Sequence, residues 1–391
     1  MKLVVDVEVT LPADGTAGTL VGRVWRPDVH GPSVVAVRAD SVYDISRSFP
    51  TMRDLGETGD PAASVAAARG ERIGTVASIL VNTPESDRDQ ARPWLLAPVD
   101  LQAIKAAGVT FAVSLIERVI EEQARGQPEH AAAVRSEVEA AIGGAIEGLV
   151  PGSPQAMELK RLLQAKGLWS QYLEVGIGPD AEIFTKAQPM SAVGTGASIG
   201  VLAASTWNNP EPEIVLVVNS RGNIVGATLG NDVNLRDLEG RSALLLGKAK
   251  DNNASTAIGP FIRLFDRTFS LDDVRHAEVT LLVEGEHGFR LEGKSALAKI
   301  SRDPMGLVSE MIGPHHQYPD GAALFLGTMF APVEDRDMPG QGFTHHERDV
   351  VTIASEKLGG LVNIVTAADR APPWTYGVGA LMRNLAQREL L

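Results

Sequence analysis

The chain has 391 residues, more than one compact core usually holds, which predicts two domains, one much smaller than the other. Apolar residues make up 44% and charged residues 22%, a globular balance that excludes a disordered or collagen-like chain. A formal charge of −13 without any Lys/Arg-rich run excludes a nucleic-acid partner or an anionic membrane surface. No cysteine is present, so disulfides and thiolate chemistry are excluded, and a reducing cytoplasm is expected.

The amino-terminal part has the period-two pattern of strands. Residues 1 to about 45 alternate apolar and polar positions between turn residues, which predicts a small antiparallel sheet. Met1–Thr10 is interpreted as a strand and not a signal peptide, because it lacks a continuous apolar stretch. Residues 46–95 have weak periodicity and predict a variable connection. The predicted domains are a small β-rich one at 1–97 and a larger one at 98–391.

The middle of the chain has the apolar spacing of helices, and the part after it has the pattern of strands. Apolar positions from Val113 to Leu149 predict two helices broken at Gly126 to Pro128, and Pro154–Lys166 predicts a third. No apolar run reaches the roughly 18 residues that a membrane span needs. The predicted strands are Ile214–Val218, Ile224–Leu229, His276–Glu284, Ala322–Met329 and Val350–Ala354. Strands separated by long loops predict an α+β, mostly β fold with mixed antiparallel sheets and exclude repeated βαβ winding.

Three acidic residues stand out at the ends of two of these strands. Glu211 and Glu213 are two apart, so an extended chain points both carboxylates to one side. If Arg221 and Gly222 form a hairpin loop, the register places Glu211 opposite Asp232. Converging carboxylates repel unless a cation neutralises them, and oxygen ligands favour Mg²⁺, Mn²⁺ or Ca²⁺ over Zn²⁺. A solvated strand edge with Asp232 in a turn remains the alternative at this stage.

Five motifs then resemble the fumarylacetoacetate hydrolase family, over about residues 100 to 391. They are E-x-E at Glu211 and Glu213, G-N-D-V-N-L-R-D at Gly230–Asp237, L-G-K-A-K-D at Leu246–Asp251, I-G-P at Ile258–Pro260 and D-G-A-A-L-F-L-G-T at Asp320–Thr328. The resemblance implies a mixed β-roll catalytic domain that carries Mg²⁺, or Mn²⁺, on Glu211, Glu213 and Asp232. It also implies a small 2-oxo acid substrate, a homodimer or homotetramer, and a lysine, Lys248, near the substrate.

One departure from the family pattern bears on the reaction. Family hydrolases have a histidine and a glutamate that activate water, and Ser114 stands here at the position of the histidine, while Glu117 is retained. The missing imidazole disfavours hydrolysis, although Glu117 can still act as an acid or base. Ser114 and Glu117 also have the spacing of a helix capping box, so a structural role is the alternative.

A narrower resemblance points to one reaction. The blocks Leu168–Val175, Gly178–Lys186, Trp207–Glu213, Lys248–Ser255 and Gly340–His345 are similar to those of 2-keto-3-deoxy-pentonate dehydratases. This resemblance implies dehydration of a xylonate-type or arabinonate-type acid to 2,5-dioxopentanoate. The alternatives are a hydrolase or acylpyruvase that cleaves a 2,4-dioxo acid, and an inactive binding or scaffold protein.

Candidate roles follow from motif positions. Lys248 is the candidate base at C3, or else a cation that balances the carboxylates, because a lysine beside a dication can have a lowered pKa. Glu117, on a helical lid near 112–150, is the candidate acid for the leaving hydroxyl, with Ser114 beside it. The candidate substrate contacts are Phe111, Thr328, Arg236 and Lys250, and Arg236 alternatively pairs with Asp237 or Glu239.

Overall fold

The structure is a computed structural model and describes residues 3–142, 144, 146, 148–167, 169–330, 332, 334–339 and 341–391. Met1, Leu168 and Gly340, which belong to segments named above, lie outside the described residues. The helices are α1 Val7–Thr10, α2 Met52–Gly56, α3 Pro61–Ala67, α4 Val76–Val81, α5 Ala112–Gln123, α6 Pro128–Ile142, α7 Pro154–Ala165, α8 Gln171–Ile177, α9 Arg236–Glu239, α10 Leu246–Lys250, α11 Leu271–Arg275, α12 Pro304–Met311 and α13 Val378–Gln387. The strands are β1 Leu20–Arg26, β2 Gly31–Arg38, β3 Ser41–Asp44, β4 Glu71–Thr75, β5 Trp94–Leu96, β6 Ala103–Ala107, β7 Ile183–Ala187, β8 Ser198–Val201, β9 Asn208–Asn209, β10 Pro212–Val218, β11 Ile224–Asp232, β12 Asn234–Leu235, β13 Thr256–Leu264, β14 Glu278–Glu284, β15 Arg290–Ala296, β16 Ala322–Phe325, β17 Val350–Ser355 and β18 Gly359–Ala367.

Two large sheets enclose the main core. An 11-stranded sheet has the order β4-β3-β2-β1-β13-β11-β10-β16-β6-β7, with β5 paired to β1, and a five-stranded sheet has the order β15-β14-β17-β18-β8. Leu216 and Leu229 of the larger sheet belong to one buried cluster with Leu281 and Ile353 of the smaller sheet. Most of the described pairs are antiparallel, and β16–β6 and β18–β8 are parallel. The predicted α+β fold with large mixed sheets is therefore confirmed.

The amino-terminal strands are part of the larger sheet. β1 pairs with β13, so strands from either side of the predicted domain boundary share one ladder. The prediction of a strand at Met1–Thr10 is wrong, because Val7–Thr10 forms a helical turn whose N–H of Val9 donates to the side chain of Asp6. The segment 46–95 contains α2, α3, β4 and α4 in place of an irregular connection. Asp60 and Thr75 cap α3 and α4, a local signal that apolar periodicity does not capture.

The β10–β11 hairpin has the predicted register. Glu213 pairs with Gly230, and the N–H of Asp232 donates to the carbonyl oxygen of Glu211 at 3.1 Å. The loop is longer than two residues, because the ladder ends at Val218 and Ile224 after a bulge. Gly222 has φ +79° in this turn, a conformation that favours glycine.

Helices α5 to α8 form a separate apolar cluster beside the sheet. Leu115 and Val119 of α5 pack with Val138, Leu163 and Leu173 of the following helices. The two predicted helices between 113 and 149 and the predicted break between them are confirmed. The capping-box interpretation is wrong, because α5 begins at Ala112 and Ser114 lies inside its first turn. Among the helices of the described chain, none is long and apolar enough to cross a membrane.

Candidate active site

A small cavity lies where the open end of the β10–β11 hairpin meets α5, β7 and α10. Glu211, Glu213 and Asp232 line one side of it, and Ser114 and Arg118 of α5 line another. Its volume is about 30 Å³. This space accommodates water or a metal ion, and it is far too small for a five-carbon acid.

The three carboxylates converge as the hairpin register predicts. Glu211, Glu213 and Asp232 are all buried, and each offers an oxygen that lies within 4.8 Å of the other two. The N–H of Gly327 donates to Glu213 Oε2 at 2.7 Å and orients that side chain. The solvated-edge alternative is therefore wrong, and the three oxygens form a set of hard ligands.

The electrostatics of this set favour a bound cation. Burial, followed by the neighbouring carboxylates of Asp232 and Glu211, raises the pKa of Glu213 well above its usual range. Burial also acts on Asp232, but Lys186 and Lys250 lower the pKa of its carboxyl. Three buried acids in mutual contact are unfavourable without compensating charge.

Two lysines approach the carboxylates from different sides. Lys250 Nζ lies 2.6 Å from Glu211 Oε2, 3.2 Å from Asp232 Oδ2 and 3.5 Å from Glu239 Oε1. These three carboxylates raise the pKa of Lys250 against the lowering effect of burial, so its ammonium stays charged. Lys186 is fully buried behind the cavity, 3.1 Å from Asp232 Oδ1, and it donates to the carbonyl oxygens of Lys250 and Ser255.

Arg118 connects α5 to a metal-ligand candidate. Its Nη2 donates to Glu211 Oε1, while its Nη1 lies 2.5 Å from Glu121 Oε2 and 2.6 Å from Glu239 Oε2. Burial opposes charge on Arg118, but these three carboxylates raise its pKa well above the usual value. Arg236 completes the network, with Nε 3.3 Å from Glu121 Oε1.

The charges around the cavity do not balance. Among the described residues, the ionic cluster comprises the acids Glu121, Glu182, Glu211, Glu213, Asp232 and Glu239 and the cations Arg118, Lys186, Arg236 and Lys250. When all six acids are ionised, the formal charge of these ten groups is −2, which one divalent cation would neutralise. The donor set and the charge therefore both fit Mg²⁺ or Mn²⁺.

Glu182 also lines the cavity, and its carboxyl group has a different environment from those of the triad. Burial and then the Glu239 carboxylate raise its pKa to about 7, against the lowering effects of Arg118 and Lys250. Its carboxylate packs directly over Gly108, where an added Cβ would lie 1.9 Å from Glu182 Oε2. A carboxyl group that titrates near neutrality inside a cavity suits proton transfer.

Three of the remaining predicted site residues lie at the cavity. Ser114, Lys250 and Thr328 line it. Ser114 Oγ donates to the carbonyl oxygen of Thr328 at 2.6 Å, and this bond attaches the first turn of α5 to the loop that follows β16. Ser114 is thus a hydrogen-bond donor to the backbone.

The other four predicted residues do not line the cavity. Lys248 is exposed on α10, Phe111 is buried in the main core, and Glu117 forms an ion pair with Arg135 of α6. Arg236 is fully buried, and its Nε donates to Asn209 Oδ1 at 2.8 Å. Lys250, two positions further along α10, contacts the carboxylates, because two positions on a helix point to nearly opposite faces.

Sequence reasoning gave no role at the site to five members of the ionic cluster, which are Arg118, Glu121, Glu182, Lys186 and Glu239. Glu182 and Lys186 lie in the block Gly178–Lys186, which carried the narrower resemblance, so that block held the signal. Arg118 and Glu239 had no signal of their own, because their roles depend on contacts between α5, α9 and the hairpin that spacing does not reveal.

Comparisons with known proteins agree with this geometry. No family model matches the chain. It is 28% identical over 333 residues to a probable 2-keto-3-deoxyxylonate dehydratase of Haloferax volcanii, covering 85% of this chain and 95% of the relative. It is 33% identical over 187 residues to the 2-dehydro-3-deoxy-D-arabinonate dehydratase of Saccharolobus solfataricus, covering 47% of this chain and 58% of the relative.

A solved structure shares the fold. A 2-keto-3-deoxy-D-arabinonate dehydratase complexed with magnesium and 2,5-dioxopentanoate superposes with a TM-score of 0.59 at 21% identity, covering 89% of this chain and 99% of that chain. The resemblance that the motifs carry is confirmed. The chain is similar in sequence to 2-keto-3-deoxy-pentonate dehydratases and has the fold of a solved one, as its motifs of the fumarylacetoacetate hydrolase type predict.

Proposed function

We propose that this chain is a metal-dependent hydro-lyase that converts a 2-keto-3-deoxy-pentonate, of the xylonate or arabinonate type, to 2,5-dioxopentanoate. One observation carries the proposal: a buried triad of hard ligands shares its cavity with a carboxyl group whose pKa is about 7. The relatives named above are dehydratases of such acids, and the similarity to the Haloferax protein spans nearly its whole length.

The triad supplies the electrophilic part of the site. Glu211, Glu213 and Asp232 would hold Mg²⁺ or Mn²⁺, and the solved relative was complexed with magnesium and this product. When bound, the cation polarises the 2-keto group and acidifies the protons on C3. Lys250 stays protonated and donates to the negative oxygen of the substrate, which suits a fixed cation better than a base.

Glu182 is the residue that we assign to proton transfer. Its carboxylate takes a proton from C3, and the electron pair of that C–H bond forms the C3–C4 double bond as the C4–O bond breaks. Protonated Glu182 then gives the proton to the departing hydroxyl, which leaves as water. Transfer of a proton from C5 to C3 converts the unsaturated alcohol to an enol, and the enol becomes the C5 aldehyde.

Hydrolysis of a 2,4-dioxo acid has less support. Among the described residues that line the cavity there is no histidine, and Ser114 Oγ is engaged as a donor to Thr328. Water activation would therefore need another base. The buried carboxylates and paired lysines equally disfavour an inactive scaffold, because unused buried charge destabilises a fold.

A cellular compartment and an oligomeric state are also proposed for the protein. A chain without cysteine suits the reducing cytoplasm, and a homodimer or homotetramer is expected from the family resemblance. Light scattering on the purified protein would give the number of subunits.

The decisive experiment is to incubate the metal-stripped protein with 2-keto-3-deoxy-D-xylonate and, separately, 2-keto-3-deoxy-D-arabinonate, with and without Mg²⁺. Mass spectrometry should detect loss of one water only when Mg²⁺ is present, and Glu213→Gln should abolish it. Cleavage of a 2,4-dioxo acid into two fragments without any dehydration would replace this proposal with a hydrolase.

A further inference from the structure

We propose that Arg118 changes partners during turnover: it leaves Glu211 when that carboxylate takes up the cation, and it then binds the carboxylate of the 2-oxo acid. This inference rests on the proposed function and deepens it, because it assigns a substrate-binding residue on α5. Neither the motifs nor the relatives' names identify Arg118.

Arg118 and Lys250 compete with a metal ion for the carboxylate of Glu211. Its Oε1 accepts a hydrogen bond from Arg118 Nη2, and its Oε2 accepts one from Lys250 Nζ at 2.6 Å. Both oxygens are thus paired with protein cations, whereas among the described residues the Glu213 carboxylate accepts a hydrogen bond only from the neutral backbone N–H of Gly327. A dication beside Glu211 would be repelled by two positive groups at contact distance.

Arg118 is the group that can yield. Its Nη1 keeps two partners, Glu121 and Glu239, at 2.5 and 2.6 Å when Nη2 leaves Glu211. The guanidinium can therefore turn about a fixed anchor without losing all compensation of its buried charge. Lys250 is less free, because its ammonium contacts three carboxylates and its carbonyl oxygen accepts from Lys186.

The size of the cavity agrees with such a rearrangement. The space of about 30 Å³ beside the carboxylates is smaller than a five-carbon acid, and movement of one wall would enlarge it. Ser114 and Arg118 supply the α5 wall, and the released Nη2 edge of Arg118 would face the enlarged space. A guanidinium fork is matched to a carboxylate, so the arriving substrate provides the partner that Glu211 has given up.

The first test separates cation binding from substrate binding. Arg118→Met combined with Glu121→Gln keeps the net charge of the ionic cluster while removing the competitor at Glu211. Isothermal titration of the stripped protein should show Mn²⁺ bound about tenfold tighter by the double variant than by the wild type or by Glu121→Gln alone. A purely structural role for Arg118 predicts weaker binding of the ion, and that result would overturn the inference.

The second test measures substrate binding with pyruvate, a 2-oxo acid that is too short to carry a leaving group at C4. At saturating Mg²⁺, the double variant should bind pyruvate about 100-fold more weakly than the wild type. Arg118→Lys should change the affinity for Mn²⁺ little and weaken the binding of pyruvate about tenfold. The lysine ammonium keeps the positive charge, but it lacks the two parallel N–H donors with which a guanidinium binds a carboxylate.

Unchanged pyruvate affinity in both variants would overturn the inference even if the dehydratase assay succeeds. Failure of dehydration in the wild type, with these binding results intact, would instead reject the proposed reaction and leave the role of Arg118 standing.

Discussion

Lys248 and Lys250 lie two positions apart on α10, and only Lys250 reaches the carboxylates. Lys250→Met should lower kcat by about 100-fold or more, because it removes a charged donor from the site of developing negative charge. Lys248→Met should stay within about twofold of the wild type, as expected of an exposed surface residue. Steady-state kinetics on both variants decide the assignment, with circular dichroism as the check on folding. An equal loss in Lys248→Met would restore the assignment made from the sequence.

Glu182 makes stability depend on pH in the metal-stripped protein. Burial and the Glu239 carboxylate raise its pKa from the ordinary 4.5 to about 7. Between these values the folded chain keeps a proton that the unfolded chain has lost. The free energy of unfolding therefore falls as pH rises through this window, by about 3 kcal/mol in total.

Glu182→Gln should remove this dependence. At pH 8 the variant should be more stable than the wild type by about 3 kcal/mol, and at pH 4.5 the two should be nearly equal. Urea unfolding at both pH values measures the difference, and other titrating groups cancel because both proteins share them. A constant gap between the two proteins at all pH values would show that the carboxyl is not perturbed.

At the scale of elements, the junction that leads from β6 to α5 positions Glu182. The N–H of Gly108 donates to the carbonyl oxygen of Glu182, and the Glu182 carboxylate occupies the space where a Cβ at position 108 would lie. Gly108→Ala should therefore displace the carboxylate and lower kcat about as much as Glu182→Gln, by about 100-fold.

Stability distinguishes this effect from misfolding. Because a flexible side-chain end is what must move, the melting temperature of Gly108→Ala should change little. Gly59→Ala is the matched control, since an added Cβ there meets nothing within 4 Å. Full activity in Gly108→Ala would mean that the position of Glu182 does not matter for the reaction.

The elements also show which features of the site follow from local sequence. The hairpin register at its open end, and with it the meeting of Glu211 and Asp232, was predicted correctly because two adjacent apolar runs joined by a short turn are local features, although the loop is longer than predicted and a bulge offsets the difference. The sequence pointed to Lys248 whereas Lys250 contacts the carboxylates, because a helix of five residues is too short for periodicity to show its buried face. The short capped helices between 46 and 95 were missed because they too are only five to seven residues long, which is too short for apolar periodicity to appear.

At the scale of the whole molecule, the parts that escaped prediction depend on contacts distant in sequence. Arg118 meets Glu211 across 93 positions. β1 of the amino-terminal part pairs with β13, so the strands on either side of the predicted boundary form one sheet. Composition and periodicity report on the burial of each element, and they do not specify which elements meet.

The metal site should couple to the stability of the whole chain. An ion that binds the folded chain alone stabilises it, by about 2.7 kcal/mol when its concentration is 100 times Kd. Stripped protein should therefore unfold at a lower temperature than protein with Mg²⁺, as measured by calorimetry. The effect has its origin in the −2 charge of the ionic cluster, which the bound ion neutralises inside the core.

The net charge of −13 requires a careful control, because any salt screens repulsion between surface acids and stabilises such a protein. Mg²⁺ should thus be compared with NaCl at equal ionic strength, and only the excess stabilisation belongs to the site. Glu213→Gln should abolish the excess, whereas Glu278→Gln, on an exposed position of β14, should preserve it. An excess that survives in Glu213→Gln would place the ion elsewhere on the molecule and remove the basis for the proposed chemistry.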